Sequence, residues 1–228
     1  MLAQVEEQIR TRTQGVFFAV NPIKIVLARV NYRLAQTAYK ARVCFADGIG
    51  VVWAMNLLHR IKIERIPGYE FMLDVLALGN RKKYTAYLIG SKKEVISKTV
   101  NKLNQRYPNL KIGGFRDGFF QNEDERHASI EEIQHSKPDI VFVAMGAIIQ
   151  DDYIKLLTEE SDIPFIMGVG GSFDVIAGAA PRAPHWLLSH GLEWLYRLIR
   201  QPKRIKPMAK LPMFVCLVLK EKINRISH

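Results

Sequence analysis

The stretch YTAYLIGSKKEVISKTVNKLNQRYPNLKIGGF, residues 84–115, decides the fold. It opens on a short and nearly continuous apolar run, YTAYLIG. It continues through KEVISKTVNKLNQRY, where apolar residues recur at helical spacing, and closes on a second strand-like run, LKIGGF. A strand without polar alternation is apolar on both faces, the pattern of a parallel strand covered by helices on each side. Strand, helix, strand is the unit from which such a sheet grows.

The same alternation runs outward in both directions. Downstream come a helix in EDERHASIEEIQHS, a strand in DIVFVAMG, a helix from Gln150 to Glu159 and a strand in IPFIMGVG. Upstream, LAQVEEQIRTR reads as a helix and GVFFAV as a strand. PIKIVLARVNYRLAQTAY has helical spacing throughout, with Pro22 suited to a first turn. RVCFA is a strand ended by DGIG, with Cys44 expected in the core, and two helices flank ERIPG. The expected fold is α/β, a doubly wound, mostly parallel, Rossmann-like sheet. Composition shifts near residue 178, which divides the chain into an α/β catalytic domain (1–178) and a basic, amphipathic helical C-terminal appendage (179–228).

The 228 residues are 48% hydrophobic and 24% charged, an ordinary globular balance, with a net charge of +11. That charge sits in the tail: residues 176–228 hold ten Lys or Arg against Glu193 and Glu221 alone. An anionic partner for the tail follows, whether phospholipid, pyrophosphate or nucleic acid. In RAPHWLLSHGLEWLYRLIRQPKR (182–204) a helix is expected over 186–200. It would place Leu187, Leu188, Leu192, Trp194, Leu195, Leu198 and Ile199 on one stripe and pair Glu193 with Arg197 on another face. Pro202 and Pro207 would break it, and a last helix is expected over 209–226. Two cysteines exclude a disulfide framework. The N-terminus resembles no signal peptide and LPMFVCLVL is too short to span a bilayer. The expected location is cytoplasmic, at most on a membrane surface.

In a doubly wound sheet, ligands bind beyond the carboxyl ends of the strands. Those ends supply Asn21, Asp47 and Gly48, Gly90 and Ser91, the RDGFF turn, Gly146 with Gln150, and Gly170, Gly171 and Ser172. Glycine-rich turns at one rim suit a phosphate, because backbone N–H groups can face the anion. No Gly-x4-Gly-Lys-Ser/Thr motif, full dinucleotide fingerprint, His-Glu-x-x-His or Gly-x-Ser-x-Gly is present, so P-loop, hydride and common hydrolase chemistries lose their support. There is no Asp-x-Asp pair to hold a metal on a diphosphate. Asp47, directly after a buried strand, is the candidate acid or base; its alternative role is N-cap of the next helix. Arg65 is a candidate phosphate clamp; its alternative is a salt bridge with Glu64 or Glu70.

In this order, the rim motifs resemble the WecG/TagA/CpsF family of bacterial glycosyltransferases over nearly the whole chain. ADGIGVVWA is similar to the family's Asp-Gly-x-Gly block, ERIPGYEFM to its Arg-Val-x-Gly block and YPNLKIGGFRDGFF to a stretch ending Asp-Gly-Tyr-Phe. GVGGSFDVIAGAAPRAPHWLLSHGLEWLYRLIRQPKR resembles the family's ending almost residue for residue. The resemblance implies inverting, metal-independent transfer from a UDP-sugar to undecaprenyl-diphosphate-linked N-acetylglucosamine, at the cytoplasmic face of the membrane and with no cofactor. It implies Asp47 as general base and Arg65 as stabiliser of the departing UDP. Asn21, Gly48, Gly90, Ser91, Gly146, Gln150, Gly170, Gly171 and Ser172 fall at the donor. Arg182, Trp194, Arg197, Arg200 and Arg204 fall at the lipid-diphosphate acceptor.

Within the family, VAMG and RLIRQPKRIK look most like enzymes that transfer N-acetylmannosaminuronic acid; N-acetylmannosamine, glucose and other hexoses stay open as donors. The chain departs at Ile148 and Ile149, where the family commonly carries Pro-Lys before Gln. The rival reading from another class is a non-catalytic α/β protein whose basic tail binds membrane or nucleic acid. No nucleic-acid motif is present, and none is expected as a partner. Oligomeric state stays open: a homo-oligomer would bury the tail stripe between subunits.

Overall fold

A computed structural model describes residues 1–189, 191–200 and 205–226. The chain runs α1 (Leu2–Arg10), β1 (Val16–Val20), α2 (Pro22–Ala28), α3 (Tyr32–Lys40), β2 (Val43–Ala46), α4 (Ile49–His59) and α5 (Gly68–Lys82). It continues with β3 (Thr85–Gly90), α6 (Lys93–Arg106), β4 (Lys111–Arg116), α7 (Glu123–His135), β5 (Ile140–Ala144), α8 (Ala147–Glu160), β6 (Phe165–Gly168) and α9 (Ser172–Ala177). The tail holds α10 (His185–Ser189), α11 (Glu193–Arg200), α12 (Ile205–Met208) and α13 (Leu211–Ile226).

The six strands form one sheet in the order β2-β1-β6-β5-β3-β4, and every pairing is parallel. Alternate strand residues feed opposite faces. Phe17, Leu88, Phe142 and Phe165 pack under α1, α5, α6 and α9. Phe18, Tyr87, Val141 and Ile166 pack under α3, α7 and α8. The four inner strands, β1, β6, β5 and β3, are largely covered on both faces, which is why they read as continuous apolar runs, whereas the edge strands β2 and β4 are partly exposed.

β3 leads through α6 on one face to β4, its outer neighbour, whereas β5 leads through α8 on the other face to β6. The connections diverge between β3 and β5. That divergence opens the crevice where such sheets take ligands. Gly90 lies at its floor with φ +124°, and a Cβ there would meet the Ala144 carbonyl oxygen at 2.2 Å, so only glycine fits.

Two expected helices are divided. Residues 22–40 break at Asn31, whose side chain accepts from the Leu34 N–H at 3.0 Å and starts α3 afresh. The tail helix breaks at Gly191 (φ +71°), where a Cβ would come within 3.1 Å of Ile49 Cβ. Apolar spacing carries across that glycine, but the backbone turns to seat against α4. Pro207 lies inside the single turn α12 instead of ending a helix, while Pro202 is outside the described residues. α8 begins at Ala147, ahead of Gln150. α13 buries Phe214 and Val218 against Val26 of α2 and Ala54 of α4, a third apolar cluster beside the sheet.

Candidate active site

Each strand of the sheet delivers its carboxyl end to one rim. From the β2 edge inward the rim presents Asp47 and Gly48 after β2, Asn21 after β1, Gly170 and Gly171 after β6, Gly146 after β5, and Gly90 with Ser91 after β3. Five neighbouring strands span four gaps, about 19 Å. The turns nominated from sequence are therefore contiguous along one edge.

At the β2 end, Asp47 follows the strand directly. Its Oδ1 accepts the Gly68 N–H at 2.8 Å, at the first residue of α5, while its own N–H donates to the Val20 carbonyl at 3.0 Å. The expected alternative, N-cap of the next helix, falls to Gly48 instead. Asp47 fastens a helix that starts 21 residues later. Arg65 leans on the same turn: its Nε donates to the Asp47 carbonyl at 2.9 Å, Nη1 to the Leu188 carbonyl at 3.1 Å and Nη2 to Glu193 Oε2 at 3.3 Å. The bridge to Glu64 or Glu70 is not formed, because the tail brings Glu193 to the guanidinium and Glu70 pairs with Arg182.

The middle of the rim is organised from behind. Asn21 caps α2, accepting the Lys24 N–H at 3.0 Å. Gln150 is 2% exposed, and its Oε1 accepts the Gly170 N–H at 2.8 Å. Ser172 is buried too, donating to the Val169 carbonyl at 2.7 Å. These side chains shape the turns rather than project from them. Between them lies a buried ion pair, Lys24 Nζ to Asp151 Oδ1 at 2.9 Å, with the ammonium 4.0 Å above the Phe18 ring. Burial pushes the Asp151 carboxyl up from its ordinary value, and Lys24 opposes that shift. Sequence reasoning missed this pair; Lys24 reads there as one polar residue of an amphipathic helix.

At the crevice end, the Ser91 N–H donates to the Ala144 carbonyl at 2.7 Å and Gly118 N–H to the Ser91 carbonyl at 3.0 Å. The RDGFF turn is thereby laid over the tips of β3 and β5. Gly146 (φ +84°) opens α8, and among the described residues nothing lies within 4 Å of where a Cβ would be. Ile148 and Ile149 are exposed beside it, on a groove of about 490 Å³ that Phe120 and Arg126 also line.

The acceptor candidates divide. Arg182 stacks over the Tyr69 ring at 4.8 Å and pairs with Glu70, both in the first turn of α5, which Asp47 anchors at Gly68. Trp194 is 41% exposed, and Arg200 lies over the Tyr196 ring at 5.6 Å on the same helix. The Arg197 side chain and Arg204 lie outside the described residues, so the expected Glu193–Arg197 pair does too. Trp186, Leu195 and Ile199 are exposed, whereas Leu187, Leu188, Leu192 and Leu198 are partly covered, so the stripe splits between protein and solvent. Cys44, expected in the core, is exposed on the edge strand β2, where its thiol donates to the Ala38 carbonyl at 3.4 Å. Among the described residues no helix is long and apolar enough to cross a membrane.

The family model described as "Glycosyl transferase WecG/TagA/CpsF family" matches residues 1–228. A protein of Bacillus subtilis (strain 168) named N-acetylglucosaminyldiphosphoundecaprenol N-acetyl-beta-D-mannosaminyltransferase is 38% identical over 213 residues, covering 89% of this chain and 82% of the relative. Proteins of the same name from Bacillus spizizenii and Staphylococcus aureus (strain MW2) are 32% and 34% identical, over 96% and 97% of this chain and 84% and 88% of theirs.

Proposed function

The chain belongs to the WecG/TagA/CpsF family of glycosyl transferases, and we propose that it moves a sugar, with inversion, from a UDP donor to N-acetylglucosamine carried on undecaprenyl diphosphate. Of the donor sugars left open by sequence, the relatives' names favour N-acetylmannosamine over its uronic acid. The β linkage in those names is what inversion of an α-linked nucleotide sugar produces. The observation that carries the reading is the convergence of the Asp47 carboxylate and the Arg65 guanidinium on one turn, at the end of a rim of glycine turns.

Asp47 is the general base. One carboxylate oxygen is oriented by the Gly68 amide, which aims the group as it takes the proton of the acceptor hydroxyl. The hydroxyl oxygen bonds to the anomeric carbon as the bond from that carbon to the phosphate oxygen breaks. Charge accumulates on the departing diphosphate, and Arg65 offsets it. Gly48, Gly90, Ser91, Gly146, Gly170 and Gly171 offer close backbone approach to the donor, over turns held by Asn21, Gln150 and Ser172. Arg182, Trp194, Arg197, Arg200 and Arg204 receive the lipid diphosphate, an acceptor apolar at one end and anionic at the other. The protein works without metal, peripherally, on the inner face of the membrane.

The test is UDP release with purified protein, detergent and a synthetic N-acetylglucosamine-diphospho-lipid, offering UDP-N-acetylmannosamine, its uronic acid and UDP-glucose in turn, with and without EDTA. Acceptor-dependent release with N-acetylmannosamine, unchanged by EDTA, is the expected result. Release with only another donor would reassign the sugar, and loss in EDTA would overturn metal independence.

A further inference from the structure

Arg65 is held by more than the turn that carries it. A guanidinium has five N–H groups. Among the described residues three are engaged, one on each nitrogen: by the Asp47 carbonyl, the Leu188 carbonyl and Glu193 Oε2. Two of these partners come from the tail, 123 and 128 residues further along the chain. The side chains of Arg65 and Glu193 are only 17% and 18% exposed, so the pair stands largely out of water, where a charge-assisted bond fixes geometry. Glu193 is itself fixed. It opens α11 two residues after Gly191, whose turn lies tight against Ile49 of α4.

We infer that Glu193 is a positioning residue of the transfer site: its carboxylate sets the plane of the Arg65 guanidinium and so holds the two remaining N–H groups ready for the donor's diphosphate. The tail helix that bears Trp194 and Arg200 is on this account part of the leaving-group site. This rests on the role of Arg65 proposed above. It differs from that role in naming a carboxylate that touches neither substrate nor reacting atom.

The test compares UDP with UMP, which lacks the outer phosphate, by calorimetric titration of the full chain, alongside steady-state rates. Arg65→Ala, Glu193→Ala, Glu193→Gln and the Arg65→Ala/Glu193→Ala double variant are compared, with melting curves on each. The preference for UDP over UMP should fall by about 10-fold in Glu193→Ala, less in Glu193→Gln, which keeps an acceptor oxygen. UMP affinity should not change, and the double variant should lose no more than Arg65→Ala alone. Equal loss of UDP and UMP would make Glu193 a purely structural contact and overturn the inference. So would an unchanged UDP preference in a folded Glu193→Ala. An unchanged preference in Arg65→Ala, or no UDP binding by the unaltered protein, would overturn the proposed function instead and the inference with it.

Discussion

Replacing Lys24 by methionine keeps the side chain's length and removes its charge, which strands Asp151. That carboxylate is 1% exposed, its Oδ1 is 2.9 Å from the Lys24 ammonium, and its Oδ2 has no hydrogen-bond partner among the described residues. Breaking a buried pair from one side costs about 3–5 kcal/mol, because the remaining charge is left without compensation. For a chain of this size that corresponds to a fall in Tm of about 6–20 °C. The cost has a pH signature. Burial raises the folded-state pKa of Asp151 above its ordinary 3.8, and Lys24 restrains that rise, so removing Lys24 raises it further. A carboxyl whose folded pKa lies above its unfolded value favours the fold while protonated and loses that contribution as pH climbs through the folded pKa. The deficit of Lys24→Met should therefore be full at neutral pH and shrink as pH falls through the raised pKa toward 3.8. Replacing both partners, Lys24→Met with Asp151→Leu, should recover most of the loss, since apolar groups of similar volume carry no such penalty. Thermal and urea denaturation followed by tryptophan fluorescence between neutral and acid pH reads all three. A pH-independent deficit, or a double variant no more stable than the single, would show that Asp151 is not a charge stranded by the loss of Lys24.

Two glycines of the rim separate close approach from backbone conformation. Gly90→Ala drives a Cβ to 2.2 Å from the Ala144 carbonyl oxygen and should prevent native assembly of the β3 and β5 tips, seen as lost soluble yield or a collapsed melting transition. Gly146→Ala has open space among the described residues but a backbone at φ +84°, ψ 152°, a region essentially reserved for glycine, so its Tm should reflect about 1–3 kcal/mol. Ile149→Lys restores the residue type common in the family at an exposed position; its melting curve should match the parent, and UDP should bind up to about 5-fold more tightly by calorimetric titration.

Much of the sheet was legible because its four inner strands are buried on both faces. YTAYLIG and DIVFVAMG carry no solvent-facing alternation, so their class and parallel pairing follow from composition. The rim was legible for the same reason, since strand ends in such a sheet are ligand positions whatever the strand order. The order β2-β1-β6-β5-β3-β4, and hence the crevice between β3 and β5, depends on which helix packs on which face and has no local signal. Asn31 was a readable cap signal that the unbroken apolar spacing of residues 22–40 masked. Gly191 was masked likewise, because the leucines on either side stay in phase.

Long-range polar partners were not legible. Arg65 has acidic neighbours in sequence at Glu64 and Glu70, yet its bridge runs to Glu193, because the tail folds back over the β2 edge. Asp47 reads as a cap for the helix beside it and instead holds the start of α5. Gln150, nominated to face the donor, is buried and acts through the Gly170 amide. In each case residue type indicated a polar job at the rim, and only packing decided the partner.

On the proposed mechanism Asp47 takes the acceptor's proton. The measurement is acceptor-dependent UDP release from UDP-N-acetylmannosamine by the unaltered protein and by Asp47→Asn, with UDP binding and melting curves measured on both. An amide at this position keeps an oxygen for the Gly68 N–H but cannot accept the proton, so the rate should fall by about 10²- to 10⁴-fold while UDP affinity and Tm hold. An Asp47→Asn protein that turns over at the parent rate would contradict the account.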